Sequence, residues 1–328
     1  MKLLVTGGYG FIGSNFLLYV LKNFPKYEIV NLDAEFYGSN KLNLPDLTNN
    51  EKYRFVKANI NDRIIVNKLV ADSDVVINFA AESFVDRSIA DAAPFIKSNI
   101  DGVFVLLEAA RKYKKKFIQI STDEVYGSLE TGTASENSIY NPTSPYAATK
   151  ACAEMLINSF HKTYGLETLI TRCTNNFGPR QFPEKLIPKT IILATQNKKI
   201  PVYGTGTNLR DWLYVDDHCD AIFSIFLKGK TGESYNISSN NELDNLTIIN
   251  KILSMMNKTS DLLEFVEDRP GHDFRYSMSS QKIRHEIGWK PKANFEKRLQ
   301  NTVDWYLNNP EWWKHLSKNI FTATPWKK

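Results

Sequence analysis

The sequence predicts an α/β protein built on a doubly wound parallel sheet. Three observations predict it. Short β-branched runs alternate with longer helical patterns through the first half of the 328 residues, a glycine-rich loop follows the first run, and an aspartate closes the second. Strands that alternate with helices form βαβ units, whose crossovers cover both faces of a parallel sheet.

In chain order, the expected strands are Leu3–Thr6, Ile29–Leu32, Arg54–Lys57, Val75–Phe79, Phe117–Ser121 and Thr168–Arg172. The helical patterns between them are Ile12–Asn23, Asp62–Val70, Ala93–Lys112 and Pro145–Tyr164. The basic run from Lys112 to Lys116 reads as the cationic end of a helix, where positive side chains meet the negative end of the dipole. After residue 174 the rhythm breaks. Pro179, Pro183, Pro188 and Pro201 punctuate the chain, and helices are expected near Ile187–Thr195, Asp216–Lys228, Leu246–Asn257 and between Ser279 and Asn308. Trp305, Trp312, Trp313 and Trp326 read as packing anchors for the last helices. No low-complexity linker and no repeat of 20–50 residues divides the chain. Residues 1–174 are expected to form a Rossmann-type domain, and residues 175–328 a smaller mixed α/β part with some segments returning to the first.

Composition narrows the function classes. Apolar residues at 42% and charged residues at 23% belong to a globular chain rather than a disordered one. A net charge of +5 is too weak and too dispersed for a nucleic-acid binder. Cys152, Cys173 and Cys219 are odd in number and widely spaced, which argues against a disulfide framework and for a reducing compartment. No C-x-x-C or His/Cys cluster calls for a metal. No apolar run approaches the roughly 20 residues that cross a bilayer, and the start of the chain meets glycines too soon for a signal peptide. The expected location is the cytoplasm, where the Asn-x-Ser/Thr triplets at Asn236, Asn245 and Asn257 carry no glycan.

Thr6-Gly7-Gly8-Tyr9-Gly10-Phe11-Ile12-Gly13 follows the first strand and opens the first helix. Glycines at these positions allow a tight turn, close approach of a pyrophosphate and close packing of helix on strand. The helix N-terminus adds free N–H groups and a positive dipole end. Asp33 lies 20 residues after Gly13 at a strand end, where a carboxylate can accept from both ribose hydroxyls and repels a 2′-phosphate. NAD is therefore expected rather than NADP.

Tyr146 and Lys150 stand one helical turn apart and share a face. The same spacing recurs at Tyr37/Lys41, in a Gly/Ser/Asn loop, and at Tyr53/Lys57, in a strand, where it makes no helical face. A tyrosine acts as a base near neutral pH only if its pKa falls from about 10 toward 7, roughly 3 units or 4 kcal/mol. Lys150 and a nicotinamide cation are the groups expected to supply that fall.

With Ser121-Thr122-Asp123-Glu124-Val125-Tyr126-Gly127 added, the chain resembles the extended short-chain dehydrogenase/reductases that act on nucleotide sugars, and specifically their dehydratase subfamily. The resemblance runs from Met1 to about Trp313. Its most specific mark is the acid pair Asp123-Glu124, where epimerases and decarboxylases of the superfamily carry small or neutral residues. Oxidising a hexose at C4 acidifies its C5 proton. Loss of water from C5–C6 then needs a base and an acid, which two adjacent carboxyl groups supply if one is held protonated.

The resemblance implies an α/β enzyme that removes water from dTDP-glucose, with UDP-glucose or another nucleotide hexose as the alternative substrate. It implies Tyr146 as base at the 4-hydroxyl, Thr122 as hydrogen-bonding partner of the C4 oxygen, Glu124 as base at C5, Asp123 as acid at the 6-hydroxyl, and Lys150 beside Tyr146. For NAD it implies Gly7, Gly10, Phe11, Ile12, Gly13, Asp33, Ala34, Glu35, Phe36, Asn59, Ile60, Phe79, Ala80, Ala81, Ser83, Ser98 and Asn176, together with Tyr146 and Lys150. For the substrate it implies Ser83, Arg87, Thr122, Asn175, Lys185, Leu186, Pro201, Val202, Tyr203, Arg210, Asn245, His272 and Tyr276. It also implies a homodimer through the helices Ala93–Lys112 and Pro145–Tyr164. The chain departs from the family at Phe84, where His is usual, at Asn59, where Asp is usual, and in Ala34-Glu35-Phe36. A 4-epimerase or decarboxylase on this scaffold would not need Asp123 and Glu124. A catalytically silent NAD-binding protein would not need Thr122, Tyr146 and Lys150.

Overall fold

The structure is a computed structural model that describes every residue except Thr48, Ala293, Ser317 and Lys328. Seven parallel strands form the central sheet: β1 (Lys2–Thr6), β2 (Glu28–Asp33), β3 (Tyr53–Lys57), β4 (Val75–Asn78), β5 (Lys116–Thr122), β6 (Thr168–Cys173) and a late strand, Ser234–Ile237. The strands lie in the order Ser234–Ile237, β6, β5, β4, β1, β2, β3. The chain reverses direction across the sheet between β1 and β4, and ligands bind at such a switch point beyond the strand C-termini.

Helices cover both faces. On one side, α1 (Phe11–Asn23) packs with Val215–Lys228 over a cluster that includes Leu3, Phe16, Ile77, Phe223 and Tyr235. On the other side, α2 (Arg63–Ala71) and two long helices cover Leu4, Val76, Leu106, Phe117 and Ile157. Helix α2 starts where the Asp62 side chain accepts from the Ile64 and Ile65 amides.

The helix expected over Ala93–Lys112 is broken into three parts. These are α4 (Ala93–Ile96), a wide π turn over Lys97–Gly102, and α5 (Val103–Tyr113), while a short α3 (Val85–Ala90) precedes them unforeseen. The wide turn aims Asn99 across at the loop after β4. Its side chain accepts from the Glu82 amide at 2.9 Å, and donates to the Glu82 carbonyl and the Thr149 hydroxyl at 3.0 Å each. Helix α6 (Pro145–Tyr164) matches its expectation residue for residue, with Ser144 capping the Ala147 amide and Gly165 ending it at φ +67°.

After β6 the chain forms β7 (Asn175–Phe177), α7 (Leu186–Thr195), β8 (Ile200–Tyr203), β9 (Leu209–Tyr214) and α8 (Val215–Lys228). The sheet strand Ser234–Ile237 is β10, followed by β11 (Glu242–Asp244), α9 (Asn245–Met255) and β12 (Leu263–Val266). Strands β7, β9 and β11 form a small mixed sheet, and β8 pairs with β12. Their core joins α7 and α9 to the last helices, with Trp312 and Trp313 buried and Trp305 packed against it. The late strand β10 belongs to the central sheet, and α8 packs against that sheet's face beside α1.

Candidate active site

The loop after β1 is shaped by close approach. Gly7 has φ +71°, and a Cβ there would meet the Ala80 nitrogen at 2.6 Å, while one on Gly13 would meet the Gly7 carbonyl oxygen at 2.3 Å. Helix α1 has Gly10 at its N-cap position and no side-chain cap, and Gly10, Phe11, Ile12 and Gly13 at this end line a cavity. A pyrophosphate suits that place. At the end of β2, Asp33 accepts the Tyr9 amide at 2.9 Å on one oxygen and the Glu35 amide at 2.7 Å on the other. Burial raises its pKa while the two amides lower it, and each oxygen keeps lone pairs for a ligand hydroxyl.

One cavity of about 290 Å³ collects most of the expected cofactor residues: the glycine loop, Asp33, Ala34 and Phe36, Asn59 and Ile60, Phe79 to Ala81, Ser83, Ser98 and Asn176. Thr122, Asp123, Glu124, Tyr146 and Lys150 line the same cavity. A second cavity of about 170 Å³ is lined by Leu186, Pro201, Val202, Tyr203, Arg210, Asn245, His272 and Tyr276. Phe84, Glu124, Asn175 and Lys185 line both.

Two of the expected contact residues lie outside both cavities. Glu35 lines neither cavity as its carboxylate is held by Lys41 at 2.8 Å and Lys57 at 2.6 Å, leaving its backbone amide for Asp33. Arg87 also lines neither. Its guanidinium is forked on Glu184, with contacts from 2.9 to 3.2 Å, and lies 3.5 Å over the Tyr37 ring. The sequence reading missed Arg269, which lines the second cavity and donates to Asp86 at 3.0 Å. Its position three residues before His272 was the available signal.

Strand β5 ends at Thr122, whose hydroxyl accepts the Glu124 amide at 3.2 Å and caps the tight turn Asp123–Tyr126. Asp123 is 4% exposed, and only one of its oxygens has a partner, the Thr122 hydroxyl at 3.1 Å. Burial first, and then the neighbouring Glu124 charge, push Asp123 up to about 8. Glu124 is also raised by burial, but Arg269, Lys185 and Arg210 all pull it back toward carboxylate. One face of α6 carries Tyr146 and Lys150 against this turn. Burial, then Glu124, raise the Tyr146 phenol well above 10, the reverse of the fall expected of it, while burial lowers Lys150 to about 8. The Lys150 ammonium donates to the Ile120 carbonyl at 2.6 Å.

In the second cavity, Arg210 donates to the carbonyls of Leu209, Phe274 and Asp273 at 2.7, 3.1 and 2.8 Å, fixing its guanidinium against the wall. Tyr203 donates to Asp86 at 3.1 Å and meets Trp326 edge-on. His272 bonds Asp268 at 2.6 Å, and burial lowers it to about 4, so it stands neutral. Phe84 is buried in an edge-to-face triad with Tyr37 and Phe182, and the Lys185 ammonium sits 4.9 Å over its ring.

A parallel sheet of this order, a glycine loop at its switch point and a Tyr/Lys pair on one helix face define an extended short-chain dehydrogenase/reductase. The chain matches the family model described as GDP-mannose 4,6 dehydratase over residues 4–302, and belongs to that family of nucleotide-sugar dehydratases. It is 45% identical over 331 residues to the dTDP-glucose 4,6-dehydratase of Streptomyces niveus, covering 99% of this chain and 98% of that one. The crystal structure of DesIV, a dTDP-glucose 4,6-dehydratase from Streptomyces venezuelae with NAD and dTDP bound, superposes with a TM-score of 0.94. It is 40% identical and covers 98% of this chain and 100% of that one. The UDP-glucuronic acid 4-epimerase of Bacillus cereus stands further off, at 31% identity and a TM-score of 0.89, with 94% and 99% covered.

Proposed function

We propose that the protein is an NAD-dependent hydro-lyase that converts dTDP-glucose into dTDP-4-dehydro-6-deoxyglucose. The observation that carries this reading is the acid pair Asp123 and Glu124 on the same cavity wall as Thr122, Tyr146 and Lys150. A 4-epimerase moves no proton at C5 and expels no hydroxyl, so it has no use for two more carboxyl groups there.

The residues fit NAD, because Asp33 and the uncapped start of α1 line one cavity, with lone pairs on Asp33 for ribose hydroxyls and free amides on α1 for phosphate. When bound, NAD⁺ supplies the hydride acceptor for C4 and the positive charge that offsets burial of the Tyr146 phenol, and it returns the hydride to C6 so that a turnover leaves it unchanged. Tyr146 takes the proton of the 4-hydroxyl while Thr122 hydrogen-bonds that oxygen. The new ketone acidifies C5–H, and Glu124, raised by burial and pulled back by three cations, takes that proton. Asp123, protonated up to about pH 8, gives its proton to the departing 6-hydroxyl. Glu124 then returns its proton to C5. The proton gained at Tyr146 matches the one given by Asp123, so the cycle balances.

The nucleotide lies in the second cavity in this reading, with Arg210 and Arg269 on the diphosphate and Tyr203 beside the base. Asn175 faces the sugar and Asn176 the cofactor. The protein acts in the cytoplasm as a homodimer through α5 and α6, whose exposed Phe104, Met155 and Tyr164 need cover. Light scattering at micromolar concentration that finds only monomer overturns the dimer.

The test of function is incubation with dTDP-glucose and, separately, UDP-glucose, followed by mass spectrometry. Loss of one water from the dTDP sugar alone supports the full reading. Loss from UDP-glucose alone moves the nucleotide, and loss from neither refutes the dehydratase.

A further inference from the structure

Beneath the strand ends lies a buried ion pair that takes no part in the chemistry above. Arg172 on β6 and Glu154 on α6 are 1% and 0% exposed and meet at 2.6 Å, with the Arg172 Nε at 2.9 Å from the same carboxylate oxygen. Further bonds of the pair reach the turn after β5 and the segment that follows it, and one reaches Ser234 on β10 at 3.5 Å. The Ser121 hydroxyl, one residue before Thr122, donates to Glu154 at 2.5 Å. The other Arg172 nitrogen donates at 2.5 Å to the hydroxyl of Tyr126, the last residue of the turn that holds Asp123 and Glu124. Tyr126 in turn donates to Asn236 at 2.9 Å, and Tyr140 donates to Glu154 at 2.9 Å while accepting from Arg172 at 2.8 Å.

Both ends of the acid turn are thus tied to one carboxylate–guanidinium pair. That carboxylate stands one helical turn beyond Lys150 on the helix that also carries Tyr146. A buried ion pair is a poor stability device, since apolar side chains of similar volume hold a core as well or better. Its distinct property is direction, because a network of hydrogen bonds of fixed geometry allows one arrangement of the segments it joins.

We propose that Arg172 and Glu154, acting through Ser121 and Tyr126, are positioning residues that hold the Asp123–Glu124 turn in register with Tyr146 and Lys150. This inference rests on the dehydratase reading. Tyr146 and Lys150 serve oxidation at C4, whereas the acid turn serves elimination at C5–C6. Loosening the tie between them slows elimination more than oxidation, and the enzyme stalls with its nicotinamide reduced.

The experiment uses Tyr126→Phe, which cuts one tie and keeps the packing, and the paired change Arg172→Met with Glu154→Leu, which removes both charges together. Circular dichroism and thermal melting establish folding. Stopped-flow absorbance of reduced nicotinamide, with kcat and KM for dTDP-glucose, reads the step affected. The expected result is kcat lower by about 10- to 100-fold, KM within about threefold, and reduced cofactor accumulating during turnover. Folded variants with wild-type kcat, or with slow turnover and no reduced cofactor, overturn the inference. If the paired change does not fold, Tyr126→Phe alone decides. Wild-type enzyme run alongside separates the two readings: if it releases no water, the dehydratase reading falls and takes this inference with it, whereas an active wild type matched by its variants refutes the inference alone.

Discussion

Both cavities bias most of their ionisable groups against charge, and one arginine breaks the pattern. Around the end of β5, burial moves each ionisable group toward its neutral form: Asp123 and Tyr146 are raised and Lys150 is lowered. At the second cavity burial likewise lowers Arg210, Lys185 and His272, but a close partner outweighs it at Arg269. Arg269 is raised despite burial because Asp86 stands against it, and Arg87, outside both cavities, is raised in the same way by Glu184. Groups that pass protons need forms close in energy, and groups that anchor a diphosphate need permanent charge. Glu124 lines both regions, so Arg269, Lys185 and Arg210 pull it toward carboxylate, and Arg210 acts on Asp123 as well. Burial thus raises both acids, and three cations oppose it at Glu124.

The largest break in this comparison is Tyr146→Phe. It removes the one group that can take the 4-hydroxyl proton, and kcat is expected to fall by about 10³- to 10⁴-fold with no reduced nicotinamide formed on mixing. Glu124→Gln and Asp123→Asn come next, at about 10²- to 10³-fold in kcat. In both, oxidation at C4 persists, so reduced nicotinamide builds up after one turnover. Absence of that build-up places the carboxyl groups at the oxidation step instead.

The same pair sets the pH dependence. Activity is expected to decline above about pH 8 as Asp123 loses its proton, and Asp123→Asn removes that limb from what activity remains. Stability has a definite sign as well. Asp123 rises from an ordinary 3.8 to about 8 on folding, so between those values only the folded chain keeps the proton. Stability therefore falls as pH rises through that window and levels off above it. Asp123→Asn has no such slope, and melting curves at pH 6 and pH 9, compared with wild type, measure the difference.

Arg269→Gln is expected to raise KM by about tenfold and to change kcat less, since it removes a charged donor from the diphosphate side. Because Arg269 is the largest influence pulling Glu124 toward carboxylate, the acidic limb of the kcat–pH profile moves up in pH. A KM change without that shift would separate the two cavities more cleanly than the geometry does.

What the sequence reveals follows the range of the forces involved. The six strands expected before residue 174 end within a residue or so of their observed limits, because β-branched runs and glycine turns act locally. Tyr146, Lys150 and the acid pair were legible for the same reason, lying on one helix face and one turn. The break in the helix at Lys97–Gly102 was not, since the bonds from Asn99 to Glu82 and Thr149 exist only after folding. Neither was the place of Ser234–Ile237 beside β6, a pairing across more than sixty residues. Glu35 and Arg87 carried the right residue types in the right segments. Their partners, Lys57 on the neighbouring strand and Glu184 before α7, are tertiary neighbours that no local pattern announces.

The smallest expected effect falls at the border itself. Phe84 lines both cavities where the family usually has histidine, and its ring lies under the Lys185 ammonium, packed against Tyr37 and Phe182. Phe84→His fits the space but brings two ring nitrogens into an aromatic triad and weakens the contact with Lys185. Burying a polar ring there costs about 1 kcal/mol, a few degrees in melting temperature. Turnover is expected to stay within about threefold, since neither proton step assigned to Glu124 or Asp123 passes through position 84. Lys185 keeps its bond to the Ser83 carbonyl at 3.1 Å, which holds the ammonium near Glu124 in either variant. A change of tenfold or more in kcat, with KM unmoved, would mean that the border residue tunes Glu124 through Lys185, and that the two regions are one electrostatic unit.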